Sequence, residues 1–158
     1  MIEITNKHIL RKKILGVCSK KQQSLIDDLK LRIKSILETQ GLGNEEEYDN
    51  NEISQKSQAS EEVTGLNDAL SLANEEMSFL QQLKLNKNKA HTIVGPGAIV
   101  ITDKAVFFIS VSIEQFGVDG ETFFGISTKS PLYLTMKGLI RESIFQHNGT
   151  NYKILDIF

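Results

Sequence analysis

Apolar residues recur at Leu10, Ile14 and Val17, and again at Ile26, Leu29, Ile33 and Ile36. Steps of three and four place them on one face of a helix. No proline interrupts Thr5 to Glu38, and Gly16 is the one glycine in that stretch. A helix of this length reaches roughly 50 Å. Lys21 and Ser24 break the stripe between the two groups and predict a weaker seam there. Gly41 and Gly43 end the helix, because glycine takes the left-handed conformation at helix ends at no steric cost. A second helix starts between Asn50 and Ser60, and the capping residues Asp49 and Asn50 ahead of Glu52 and Ile53 favour the earlier start. Within it Val63, Leu66, Leu70, Ala73, Met77 and Leu80 follow steps of 3, 4, 3, 4 and 3, an unbroken heptad seam. Two helices with one stripe each and a short connection predict an antiparallel hairpin. Pairing Ile36 with Ile53 sets Ile26 against Val63. Gly65 costs about 1 kcal/mol relative to alanine, so the outer end of the hairpin should be mobile.

The period changes from 3.6 to 2 beyond the basic connector Lys84-Leu85-Asn86-Lys87-Asn88-Lys89. Residues 98–102 and 106–113 read as strands around the tight turn Asp103-Lys104, rich in β-branched and aromatic side chains. Gly117 to Glu121 reads as a loop and 122–126 as a third strand. Ser130-Pro131 opens a short helix through Lys137, with proline in the first turn, and Gly138 stops it. Two last strands, 143–147 and 152–157, pair across Asn148-Gly149, a strong hairpin signal. The fold expected is α+β. Residues 1–84 form a helical hairpin, or coiled coil, with its tip at 41–52, and residues 85–158 an antiparallel sheet of about five strands with one short helix.

The chain has 158 residues, 40 % of them hydrophobic and 24 % charged, within the range of globular proteins. No apolar run approaches the roughly 20 residues of a membrane span, and the N-terminal residues lack the pattern of a secretory signal. Cys18 has no partner for a disulfide; a small packing residue in a reducing cytoplasmic setting is the expectation. The net charge of −2 hides a segregation. Residues 7–34 carry nine bases (Lys7, Arg11, Lys12, Lys13, Lys20, Lys21, Lys30, Arg32, Lys34) against Asp27 and Asp28, a net of +7. Residues 38–62 carry eight acids (Glu38, Glu45, Glu46, Glu47, Asp49, Glu52, Glu61, Glu62) against Lys56, a net of −7. Such blocks either solvate helix faces or steer the molecule onto a patterned partner. His8, His91 and His147 lie too far apart for ligand spacing, so no metal site of its own is expected. Val94-Gly95-Pro96-Gly97 lacks the spacing of a phosphate-binding loop and reads as a turn. Phe107, Phe108, Phe123 and Phe124 read as core.

In order of parts the chain resembles the Gre family of bacterial transcript cleavage factors. The residues that carry the resemblance are Ser130-Pro131-Leu132, a short helix, Lys137-Gly138-Leu139, and a closing strand Tyr152-Lys153-Ile154-Leu155-Asp156-Ile157-Phe158, with Glu47-Tyr48 at the tip. The family shows Ser-Pro-hydrophobic, a helix, a Gly-Lys turn and a strand of the type Tyr/Phe-x-Ile-x-x-Ile. The resemblance implies an FKBP-like C-terminal domain that binds RNA polymerase through Ser130, Pro131, Lys137 and Gly138. It also implies a hairpin that enters the secondary channel and a monomeric accessory factor rather than an enzyme. Tip carboxylates would help the polymerase hold Mg²⁺ and orient a water near the nascent RNA 3′ end. Mg²⁺ takes oxygen ligands, and a second metal stabilises the attacking and leaving oxygens of phosphodiester hydrolysis. The resemblance implies a factor that binds no cofactor alone and would share Mg²⁺ with the polymerase active site.

The tip departs from the family pattern of an Asp followed three residues later by a Glu. Aligned on Glu47-Tyr48, those positions hold Gly41 and Asn44. Two readings stay open. Glu45, Glu46 or Glu47 supply the carboxylates from a different loop, or the factor occupies the channel and modulates elongating or backtracked complexes without RNA cleavage. A one-residue shift turns a side chain by about 100°. The alternative from another class is a coiled-coil adaptor or chaperone-like protein clamping a client, which requires an exposed apolar stripe towards the tip. A third, nucleic-acid binding by the basic first helix, requires binding that weakens steeply with salt.

Overall fold

A computed structural model describes residues 7–40, 50–87 and 89–158. Two long helices, α1 (Lys7–Gln40) and α2 (Asn50–Leu85), precede six strands and one short helix. The strands are β1 (Ile99–Thr102), β2 (Val106–Ser110), β3 (Ile113–Val118), β4 (Glu121–Ser127), β5 (Ile144–His147) and β6 (Thr150–Ile157); α3 (Pro131–Met136) lies between β4 and β5. The fold is α+β. Among the described residues no helix is long and apolar enough to cross a membrane. The chain divides into two compact units, Met1–Lys21 with Ser78–Phe158, and Gln22–Met77.

Within the unit Gln22–Met77 the two stripes meet as the heptads predict. Ile26, Leu29, Leu66 and Ala73 are buried, with Ile33, Ile36, Leu70 and Met77 packed around them. The gap at Lys21 and Ser24 is filled by Gln22, 2 % exposed, whose Nε2 donates to the Ala73 carbonyl at 2.9 Å. Only a small residue at 73 brings a helix backbone within reach of that amide. The contact also corrects the expected register. Pairing Ile36 with Ile53 would set Gln22 against residue 67, six residues and about 9 Å of helix rise from Ala73.

The other unit is a sheet of order β3-β4-β2-β1-β6-β5, packed on both faces. The period of two explains how. On one face Ile99, Phe108, Phe116 and Phe123 pack with Leu10, Ile14, Leu15, Cys18 and Leu80 from the helices. On the other, Val100, Phe107, Ile109 and Ile154 pack with Tyr133 and Met136 of α3. Neighbours in sequence therefore enter opposite cores. Cys18 is fully buried, and burial pushes its thiol up to about 12, so it is packing material and no nucleophile.

The sheet differs from the expected five antiparallel strands in one place. The run 106–113 is not one strand: it breaks at Val111-Ser112, and the chain continues as β3 on the edge of the sheet. β4 returns from β3 and pairs with β2 in parallel, Phe107 opposite Phe124 and Ile109 opposite Ile126. Parallel neighbours need a crossover, and here β3 is that crossover. Gly125 makes the crossing possible: a Cβ there would lie 2.6 Å from the Val111 carbonyl oxygen and 2.8 Å from the Ile113 Cβ. The loop expected at 117–121 shrinks to the two-residue turn Asp119-Gly120, both at positive φ, like Asn148-Gly149.

Candidate functional site

The residues Ser130, Pro131, Lys137 and Gly138 form one structure at the two ends of α3. Ser130 is the N-cap, with extended dihedrals, and its Oγ accepts from the Tyr133 N–H at 3.2 Å. Pro131 fills the first helical position, where a missing N–H costs nothing. Tyr133 and Met136, three apart, turn into the sheet core. Leu132 is half-buried against the same core, and Pro131, Leu134 and Thr135 are exposed.

At the other end the Lys137 N–H donates to the Tyr133 carbonyl at 2.8 Å. Gly138 then takes a φ of +79°, which few side chains tolerate. Its N–H donates to the Val94 carbonyl at 3.0 Å, and the Val94 N–H donates to Leu139 at 2.9 Å. A bridge between Ile93 and Ile140 extends this pairing. Ser130 thus caps the first turn, and the segment after the helix is tied to Val94.

The outer face of α3 carries apolar side chains that the sequence reading did not single out alongside Ser130, Pro131, Lys137 and Gly138. Leu134 is 63 % exposed, and Ile93 and Ile140, paired beside the end of α3, are 53 % and 56 % exposed. Lys137 and Gly138 are exposed beside them. Three large apolar side chains around one anchored helix form a surface of the kind that protein partners cover. The sequence signal was available: Leu134 falls between Tyr133 and Met136 on a helix too short to bury two faces.

Glu45, Glu46 and Glu47, with Gly41 and Asn44, lie outside the described residues. Among the described residues no group of three or more His, Cys, Asp or Glu side chains is placed to hold a metal. His147 is the last residue of β5, and His8 lies on α1, apart from it in the fold.

No family model matches the chain, and no curated protein does. Among solved structures the chain is similar to Gfh1 of Thermus aquaticus, at 11 % identity and a TM-score of 0.34, over 92 % of each chain. A likeness at that level carries no weight for function.

Proposed function

We propose that this protein is a Gre-like accessory factor of RNA polymerase, docking through the face of α3 and the turn that follows it. The observation that carries the reading is the Ser130–Gly138 block, whose Tyr133 and Met136 are buried in the fold while Pro131, Leu134 and Lys137 are exposed, as are Ile93 and Ile140. The two helices of 34 and 36 residues supply the length that a channel-entering hairpin needs. The acidic stretch that joins them supplies the carboxylates. In this reading the polymerase owns the catalytic centre. The tip lends Glu45, Glu46 or Glu47 to a shared Mg²⁺, or it occupies the channel without promoting cleavage.

Among the described residues α1 shows no single exposed apolar stripe of the kind the adaptor reading requires. Leu25, Leu31 and Leu37 are exposed, but at steps of six they turn by about 240° each time and form no stripe. Mixing the full chain with a stalled, backtracked elongation complex and Mg²⁺ separates the outcomes. Shortened RNA that disappears in the double variant E45A/E46A establishes cleavage support. Binding without shortening makes the protein a modulator. Absence of binding, or binding indifferent to Leu134→Glu, refutes the docking assignment.

A further inference from the structure

A second site lies at the start of α1. A cleft of about 220 Å³ is lined by Lys7, His8, Arg11, Lys89, His91 and Phe158. By volume it holds the equivalent of about seven waters, enough for an oxyanion with a small organic group attached. Arg11 dominates it. This guanidinium is only 5 % exposed, a rare state for an arginine. Its Nη1 donates to the Gly97 carbonyl, and its carbon sits 5.7 Å from the Phe158 ring centre. Its Nη2 is buried and has no hydrogen-bond partner. A buried donor left unmade is costly, and more so on a charged group.

Among the described residues the side chains around the cleft leave a positive balance. Lys7 is held at 2.8 Å by Asp156 and lies 5.1 Å from the Phe158 ring centre. Lys89 adds a further cation on an exposed, polar segment. Counting described side chains alone, three cations (Lys7, Arg11, Lys89) against one carboxylate (Asp156) leave +2 with the histidines counted neutral. The loop on the far side is shaped for the arrangement: Gly97 has a φ of +87°, and a Cβ there would stand 2.9 Å from Leu83 and 3.4 Å from the His91 ring.

We propose that this cleft binds a phosphate group, free or carried on a small organic molecule, with Arg11, Lys89 and Lys7 around the anion. An anion suits the positive balance of the side chains, and the unpaired Nη2 of Arg11 is the donor in want of an acceptor. Phe158 and Ile157 offer apolar surface to any organic remainder. His91 reports on the site. Burial, then the charges of Arg11 and Lys89, hold its pKa down to about 4. An anion between those cations cancels part of their field and raises it.

The test is a titration of the full chain with inorganic phosphate, followed by NMR of the His91 ring, at ionic strength fixed with sodium chloride. A saturable shift with a Kd of about 1–10 mM is expected, together with a rise in the His91 pKa. Lys89→Ala, on an exposed residue that leaves the core intact, should weaken binding about three- to fivefold. Arg11→Lys, which removes the fork, should weaken it about tenfold or more. Phenyl phosphate in place of inorganic phosphate distinguishes the sources: tighter binding identifies an organic monoester, and equal binding identifies phosphate alone. The proposal falls if no saturable shift is found, if sodium chloride alone reproduces it, or if Lys89→Ala leaves the half-saturation point unchanged.

Discussion

The two compact units are built from the same kinds of residue and hold together in different ways. The sheet unit is a packed sandwich in which Ile14, Phe108, Ile109, Phe123, Met136 and Ile154 are wholly shielded from water. Its strands bury both faces, so each apolar residue meets neighbours on several sides. The unit Gln22–Met77 has a single seam. Ile26, Leu29, Leu66 and Ala73 are its buried apolar cluster, and one amide, Gln22, sits among them. Two helices with one stripe each can bury no more than one line of side chains. Stability should therefore be unequal along the chain, with the seam opening at lower free energy than the sheet.

The largest expected effect lies in the sheet. Phe108→Ala removes a ring with no exposure and should cost about 3–5 kcal/mol. Urea unfolding should show the loss as a lower midpoint for the sheet unit. Leu66→Ala should cost less, about 2–4 kcal/mol, because a side chain 9 % exposed is less enclosed. Hydrogen exchange sharpens the contrast. In Leu66→Ala, amides of residues 22–77 should exchange faster while those of β1, β2 and β6 keep their protection. Equal acceleration in both units would make the chain a single cooperative unit and erase the distinction.

Gly125→Ala addresses how the sheet is wound. A methyl group there meets the Val111 carbonyl and the Ile113 Cβ, backbone and branch-point atoms that cannot swing aside. About 1–3 kcal/mol should be lost, with the β3–β4 amides the first to lose protection. This glycine also marks the limit of what the sequence disclosed. The heptads of α2 and the stripes of α1 were legible because helix packing is local in sequence. Asn148-Gly149 was legible because a two-residue turn writes its own requirement into the residues that form it. The parallel β2–β4 pairing was not, because nothing in 106–113 alone tells a continuous strand from one that leaves the sheet. Gly125, isolated within a strand, was the available hint of a close backbone approach. Gln22 was hidden for a similar reason, since its partner carbonyl belongs to residue 73, distant in sequence. At the candidate docking face the caps were readable, and the short helix held the signal for Leu134; the pairing of Ile93 with Ile140 was not readable, because it joins residues distant in sequence.

Ser130→Ala should cost about 1 kcal/mol through the lost cap, too little to unfold the sheet unit. It should loosen the first turn of α3, and so tests whether polymerase binding needs an anchored helix or only its apolar side chains. Weaker binding with an unchanged melting profile favours the anchored helix.

The smallest effect is a pH dependence, and its sign follows from His91. Its folded pKa of about 4 lies below the ordinary value of 6.5. As pH falls below 6.5 the unfolded chain takes up a proton that the folded chain refuses, so stability declines until about pH 4 and then levels off. The ring is partly open to solvent, so the slope should be shallow. Asp103 and Glu142 also have lowered values, Asp103 through the Lys153 N–H and Glu142 through the Lys153 ammonium, and their contribution is lost only in the acid range below the ordinary values of 3.8 and 4.5. The window from pH 6.5 to 5 therefore isolates His91 from those two carboxylates. Urea midpoints measured at pH 7.5, 6 and 5 should fall for the sheet unit, and His91→Gln should flatten that decline. The exchange rates of residues 22–77, corrected for intrinsic chemistry, should show no matching trend, because His91 belongs to the other unit. A parallel decline in both would mean that protonation at the base of α1 is felt along the helices, and the two units would then be coupled more tightly than their separate cores suggest.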